Sequence, residues 1–389
     1  MVKRVNLVSC YFQQNYGSML QAYALQEAVK ALGFEAENIR IDGIAKEIRN
    51  KKLKYYARQL IDWSVVKEKT GIVRKFWQKK KNKHFAEKSK LRNRKFQEFQ
   101  QQVFNVSPYL ASKKDMGEYV KDCQAVIVGS DQLWLPSNIT ADYYTLNFVP
   151  DEVRKVAYAT SFGVSSLPER MHDFTKNFLN RIDKVSVREE KGRELVANIA
   201  QREVPVVCDP TLLFTKEQWT KRIPTKKTSA GKYIFCYFLG NNPWQRAFAH
   251  KLREKTGYKI ISLLHMDEYV ATDEFFPDIA PYDVGPSEFV NFIRGAEYVL
   301  TDSFHGTVFS AIYGKNFFTF RRFSQKATLS TNSRMDSLFL LLEVPERLLD
   351  ESSEVNKILK MELDAESVWK RIECLRKPSW DYLEQAIGD

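Results

Sequence analysis

Seven consecutive residues, Thr301-Asp302-Ser303-Phe304-His305-Gly306-Thr307, put a carboxylate, three hydroxyls and an imidazole within two turns of chain. They join an apolar run, Tyr298 to Thr301, that reads as a strand to another, His305 to Tyr313, that reads as a helix stopped by Gly314. A helix N-terminus presents free N–H groups and partial positive charge, so it attracts anions. A histidine in that first turn suits proton transfer beside a bound phosphate. The same residues also read as a plain cap, with Asp302 or Ser303 as N-cap and His305 merely partly buried.

Small polar residues recur at other strand-like ends. Val5 to Phe12 runs into Asn15-Tyr16-Gly17-Ser18, and Ala125 to Val128 into Gly129-Ser130-Asp131-Gln132. Lys155 to Ala159 ends in Thr160-Ser161-Phe162-Gly163, Val185 to Val187 in Arg188-Glu189-Glu190, and Pro205 to Val207 in Cys208-Asp209-Pro210-Thr211. In open parallel sheets ligands bind beyond the carboxyl ends of strands, so the repetition marks one functional edge. Each turn also has an ordinary reading: Asn15 to Ser18 as a structural turn, Asp131 as a cap, Asp209 as a shaper of the interdomain connection, Arg188 as a partner of Glu189 or Glu194. Among the other histidines only His265, just past the run Lys259 to Leu264, has any comparable context.

The elements that must position these residues alternate strand and helix. Met19 to Leu32 reads as a helix stopped by Gly33, with a short strand, Ala36 to Ile41, directly after it. Such βαβ spacing predicts parallel, doubly wound sheets. A charged linker, Lys216 to Lys232, precedes a second α/β unit with strands at Tyr233 to Leu239, Lys259 to Leu264, Tyr298 to Thr301 and Phe317 to Phe320. From Ser333 onward the pattern is largely helical. The expected fold is α/β: two Rossmann-like domains, 1–215 and 216–389, facing across a cleft in the GT-B manner.

Charge is localised. Between Lys46 and Lys95 there are 19 Lys/Arg against four acids, a surplus larger than the whole chain's net +12. The stretch 46–106 reads as two or three basic amphipathic helices inserted into the N-terminal domain, with Trp63, Val65, Val66, Ile72, Val73, Phe76 and Trp77 as the apolar side. Its clusters, Lys79-Lys80-Lys81 and Arg92 to Lys95, suit either a solvated face or anionic headgroups of an inner leaflet. Nucleic acid is not expected, since the rest of the chain is not basic and no binding module is recognisable.

The remaining composition narrows the class. At 389 residues two domains are the natural division, and 44% hydrophobic content supplies two cores. No run approaches the ~20 apolar residues that span a bilayer. The N-terminus reads as a first strand rather than a signal peptide. The five cysteines, widely spaced and without a C-x-x-C pair, fit reduced thiols in a cytoplasmic protein. The histidines show no metal-ligand spacing.

Taken in order, several blocks resemble the polysaccharide pyruvyl transferase family. Asp302-Ser303-Phe304-His305-Gly306-Thr307 with Gly314-Lys315 looks like its C-terminal signature. Asn15 to Tyr23, Val128 to Trp134, Tyr158 to Gly163, Val187 to Glu190 and Asp209 to Leu212 resemble further family blocks in the same order. The resemblance spans residues 15 to roughly 340.

What it implies is a transferase that moves the enolpyruvyl group of phosphoenolpyruvate onto two hydroxyls of a sugar, forming a cyclic pyruvate ketal, without a cofactor or metal. The sugar belongs to a cell-surface polysaccharide such as a capsule or exopolysaccharide, or to its lipid-linked precursor. By resemblance His305 is the acid/base. Arg188 and Arg334 anchor the donor, with Ser303, Gly306 and Thr307 beside them. Asn15, Tyr16, Gly17, Ser18, Ser130, Asp131, Gln132 and Ser161 line the acceptor side or cleft. Where some relatives have an arginine two residues before the histidine, this chain has Ser303; either Arg321 or Arg322 takes its place or the donor differs. The rival readings are a metal-independent GT-B glycosyltransferase using a nucleotide sugar and a non-catalytic glycan-binding scaffold. The expected location is cytoplasmic, at the inner face of the membrane if the insertion binds headgroups.

Overall fold

The computed structural model describes residues 3–59, 83–265, 269–322 and 332–388. Strands β1 (Arg4–Val8), β2 (Glu35–Asn38), β3 (Ala125–Asp131), β4 (Lys155–Thr160) and β5 (Lys184–Val187) come from the N-terminal half. Strands β6 (Tyr233–Tyr237), β7 (Lys259–Leu263), β8 (Tyr298–Thr301), β9 (Asn316–Phe320) and β10 (Leu348–Leu349) come from the C-terminal half. They form two parallel sheets, ordered β2-β1-β3-β4-β5 and β10-β9-β8-β6-β7. The architecture is the expected one: two Rossmann-like α/β units facing across a GT-B-like cleft, the first carrying a basic helical insertion.

The central strands are continuous apolar runs because both faces of each sheet are covered by helices. Val5, Leu7 and Val8 of β1 and Ala125 to Val128 of β3 are fully buried. The two sheets have the same winding. In each, the chain goes first to one side and then crosses to the other, so β1/β3 and β6/β8 are the topological switch points where crevices open. Residues from both crevices meet in the site described below.

Six helices position the site: α1 (Tyr16–Ala31), α2 (Ala45–Gln59), α3 (Lys83–Val103), α4 (Phe304–Ile312), α5 (Asn332–Leu342) and α6 (Ala365–Gly388). Asn15 caps α1 by accepting from the Ser18 N–H at 3.1 Å, and Gly33 follows its C-terminal turn at φ +86, a conformation a Cβ disfavours. Helix α6 returns to the first unit. Its Tyr382 hydroxyl donates to Ala157 O at 3.3 Å, and its Ser379 hydroxyl accepts from Cys208 N at 2.9 Å.

The insertion is tied into the molecule at both described ends. Helix α2 packs on the short helix Pro136–Ala141 through Ile48, and α3 packs on the helix Pro286–Gly295 of the second unit. Arg92, in one of the basic clusters, is buried: its guanidinium lies 4.9 Å from the Tyr16 ring and 5.2 Å from the Phe96 ring and donates to Gln14 O. It is therefore packed against the start of α1 rather than facing solvent. Trp63, Val65, Val66, Ile72, Val73, Phe76, Trp77 and Lys79 to Lys81 lie outside the described residues.

Two local expectations are corrected. Pro205 to Val207 is not a strand; only Val206 bridges to Val187. Pro205 has no N–H to give a ladder, which leaves the segment one bridge long. The region after Ser333 is less uniformly helical than its pattern suggests, since β10 adds a fifth strand to the second sheet beside β9. No helix among the described residues is long and apolar enough to cross a membrane.

Candidate active site

The seven-residue segment ends β8 and starts α4. Asp302 is buried, and its carboxylate accepts the N–H groups of Leu239 at 2.6 Å and Gly240 at 2.8 Å, locking the β6 loop to the β8 end across the crevice. Ser303 is the N-cap: its hydroxyl accepts from Gly306 N at 3.3 Å. Thr307 donates to Ser303 O at 3.1 Å and pairs with the Thr319 hydroxyl at 2.8 Å, so it faces the sheet. A Cβ on Gly306 would meet Thr301 Oγ1 at 2.7 Å; the glycine allows the helix to start this close to β8. The cap reading thus accounts for Ser303, Gly306 and Thr307. His305 remains, buried at 6% exposure in the first turn.

Helix α1 of the opposite unit points its own N-terminus at the same place. Gly17 lies against the His305 ring, and Ser18 donates to Asp131 Oδ2 at 2.7 Å. Tyr16, expected in the cleft, is instead interdomain packing: its ring stacks on Phe289 at 4.8 Å and its hydroxyl donates to Val284 O. Two helix N-termini, from different units, therefore converge on one imidazole, and their partial charges add.

Behind the histidine is a buried charge network. Arg188 Nη1 lies 2.6 Å from Asp209 Oδ2, and its Nη2 lies 3.6 Å from Asp131 Oδ1. Arg334 Nη1 approaches the same Asp131 oxygen at 3.6 Å. His305 Nε2 is 3.5 Å from Asp209 Oδ2. The two guanidiniums share the Asp131 carboxylate and both lie near the Phe304 ring, 4.8 Å for Arg188 and 5.7 Å for Arg334. The ring offers each cation an aromatic face.

The electrostatics follow from this burial. Desolvation alone would raise the Asp209 carboxyl, but His305 and Arg188 hold it well below the usual carboxylate range. Asp131, equally desolvated, is lowered by Arg188, His305 and Arg334. Burial raises Glu189, whose Oε1 accepts from the Ser161 hydroxyl at 2.6 Å. Arg334 is pushed down to about 10, first by burial and then by Arg188 beside it. Nε and Nη2 of Arg188, Nε of Arg334 and Nε2 of His305 are buried without a hydrogen-bond partner among the described residues. Buried donors are nearly always satisfied, so the unmet ones on Arg334 and His305, which face a cavity, mark a place for acceptor oxygens.

That cavity has a volume of about 320 Å³, within the usual range for small-molecule sites. Asn15, Ser18, Asp131 and Gln132 line it from the first unit, Ser303, Phe304, His305, Arg322 and Arg334 from the second, and Lys52 and Tyr56 from the insertion. Ser130 and Ser161 are buried beside it, Ser130 donating to Ala159 O at 2.9 Å. Arg188 does not line this cavity. It borders an adjoining apolar one of about 340 Å³ with Val207, Leu212 and Leu338.

Arg322, not Arg321, reaches the polar cavity; Arg321 is paired with Asp336 at 2.5 Å. His265 is held by Asp273, Nδ1 to Oδ2 2.7 Å, and lines a separate crevice with Lys88 and Tyr282. Among the described residues no group of three or more His, Cys, Asp or Glu is placed to hold a metal ion. Sequence reasoning underrated Asp209 and did not single out Lys52 or Glu189. Asp209 had a signal, its place at a chain turn after an apolar run, but nothing in the order of residues says which carboxylate meets the histidine.

Comparison with known proteins agrees with the motif order. The sequence profile described as polysaccharide pyruvyl transferase matches residues 15–322. None of the curated proteins matches the chain in sequence. Among solved structures, UDP-GlcNAc 2-epimerase from Neisseria meningitidis, bound to UDP-GlcNAc, is 10% identical, with 97% of this chain and 99% of that chain covered at TM-score 0.46. UDP-N-acetylglucosamine 2-epimerase from Rickettsia bellii is 10% identical, with 99% and 98% covered at TM-score 0.44. UGT89C1 from Arabidopsis thaliana is 9% identical, with 100% and 99% covered at TM-score 0.48.

Proposed function

Since a match across residues 15–322 makes this chain a member of the polysaccharide pyruvyl transferase family, and so a transferase, we propose that its donor is phosphoenolpyruvate and its product a pyruvate ketal on a sugar of a cell-surface polysaccharide or its precursor. The observation that carries the donor assignment is the meeting of Arg334, Arg322 and His305 at two opposed helix N-termini around one cavity.

Phosphoenolpyruvate brings a phosphate and a carboxylate. Arg334 and Arg322 are the guanidinium groups in the cavity wall, and the N-terminus of α4 adds partial positive charge. Arg188, held by Asp209 and Asp131, contributes its field from behind Phe304. In the reaction a proton adds to the methylene carbon, and the first sugar hydroxyl attacks the resulting oxocarbenium-like C2, losing its proton. The C2–O bond to phosphate then breaks and inorganic phosphate leaves with that bonding pair. The second hydroxyl closes the ring and loses its proton, which balances the proton carried off on phosphate.

His305 serves as the group that moves these protons, with the Asp209 carboxylate 3.5 Å from its Nε2. Ser18, Asp131 and Gln132, across the cavity, are placed to orient sugar hydroxyls. Calorimetric titration with phosphoenolpyruvate against a panel of nucleotide sugars tests the donor. Phosphoenolpyruvate binding that is lost in Arg334→Ala supports the reading. Binding of a nucleotide sugar with no heat from phosphoenolpyruvate would replace it with a glycosyltransferase, and binding of glycan alone with a scaffold.

A further inference from the structure

Helix α2 carries a lysine where its packing calls for an apolar residue. The helix turns Ile44, at its entry, and Ile48 into the first unit's core, and Tyr55 continues the same stripe half-buried. Lys52 sits on that stripe, one turn after Ile48. The other basic residues of α2 behave as a solvated face: Lys46, Arg49, Lys54 and Arg58 are exposed, and Lys51 pairs with Glu47 at 2.9 Å. Lys52 has no carboxylate partner among the described residues, and burial alone lowers its ammonium from the ordinary lysine value. Its side chain lines the 320 Å³ cavity that holds His305, and Tyr56, one turn further along, lines it too.

A half-buried ammonium with no protein counter-ion is stabilised by an anion from outside. On the donor reading above, on which this inference rests, the donor's two anionic groups belong to Arg334, Arg322 and α4. Lys52 approaches from the insertion, on the wall shared with Ser137 and Asn138. We propose that Lys52 recognises a phosphate ester on the acceptor sugar, with the Tyr56 ring against the sugar itself, so that the basic insertion selects glycosyl phosphates over neutral glycans.

The test is calorimetric binding of a panel of hexose 1-phosphates and the matching free hexoses to the full chain, in wild type, Lys52→Met and Lys52→Arg. Methionine keeps the apolar stem and removes only the charge. Wild type is expected to prefer the phosphates, with Lys52→Met weakening them by about 10- to 100-fold and Lys52→Arg within a few-fold of wild type. Phosphoenolpyruvate affinity should be the same in all three. If no hexose 1-phosphate binds wild type more tightly than its free sugar, the proposal is overturned. It is equally overturned if Lys52→Met weakens phosphoenolpyruvate as much as the glycosyl phosphates, for Lys52 then serves the donor. Failure of phosphoenolpyruvate to bind wild type, with the Lys52-dependent preference intact, would sink the donor reading and with it the acceptor assignment, leaving only Lys52 as a glycosyl-phosphate contact. A hexosyl phosphate esterified to a short alkyl chain separates the sources: tighter binding than the monoester supports a lipid-linked acceptor, and weaker binding supports a soluble one.

Discussion

Gly17 and His305 touch so closely that a Cβ built on the glycine would lie 2.0 Å from Nδ1 and 2.4 Å from Cγ of the ring. One belongs to the first turn of α1 and the other to the first turn of α4, so this contact is where the two units register against each other. Gly17→Ala must push the imidazole aside. A displacement near 1 Å costs about 100-fold in turnover when it misplaces a reacting group. The expected result is a drop in kcat of that order with a near-native thermal transition. Wild-type kcat in Gly17→Ala would show that the ring position is not critical.

His305→Ala removes the proton-transfer group and should lower kcat by about 10²- to 10⁴-fold, while phosphoenolpyruvate still binds. The pairing of rate and titration separates the assigned role from a structural one. An active His305→Ala enzyme rules that role out.

Asp209→Asn should destabilise the fold by about 3–5 kcal/mol, because it strands the buried Arg188 charge. The sign with pH is set by the depressed carboxyl. Its contribution is complete above the unfolded value, about 3.9, and is lost as pH falls through the lower folded value. Denaturant unfolding of wild type and Asp209→Asn should therefore show a constant gap from pH 8 to 5, narrowing only in stronger acid. A gap that already closes between pH 7 and 5 contradicts the network.

Arg334→Ala should raise the donor KM by about 10- to 100-fold, the loss of a charge-assisted contact. Arg188→Ala should also raise it, with a larger loss of stability, since Arg188 is bound to Asp209 rather than open to the polar cavity. An unchanged donor KM in Arg334→Ala would remove Arg334 from the donor site.

Phosphoenolpyruvate should also stabilise the folded chain. It supplies acceptors to donors left unmet on Arg334 and His305, and a ligand at one hundred times its Kd adds about 2.7 kcal/mol. Thermal unfolding with and without it reads this directly. No shift in wild type, or the same shift in Arg334→Ala, would deny the link.

Local order in the chain was enough to read most of the scaffold. Strand β8 ends at Thr301 as expected, because apolar residues stop there and a capping run begins. The turn after β1 was legible for the same reason: Asn15 is a short polar side chain that bonds nearby backbone, a local property, whereas Asp131 at the end of β3 bonds Ser18 across 113 residues of chain. The second basic cluster was misleading in part. Arg92 looks like a surface charge by its neighbours, yet an arginine can be buried when aromatic faces and a carbonyl receive it.

What the chain order could determine by itself was the set of elements and the histidine at a helix start, since periodicity and capping act over a few residues. Which groups surround that histidine was decided only in three dimensions. Asp209 and Gly17 stand 96 and 288 residues from His305 along the chain, Arg334 comes from a separate helix of the same unit beyond strand β9, and Lys52 comes from an insertion. Their meeting depends on how two sheets are set against each other, a long-range packing result that no spacing along the chain encodes.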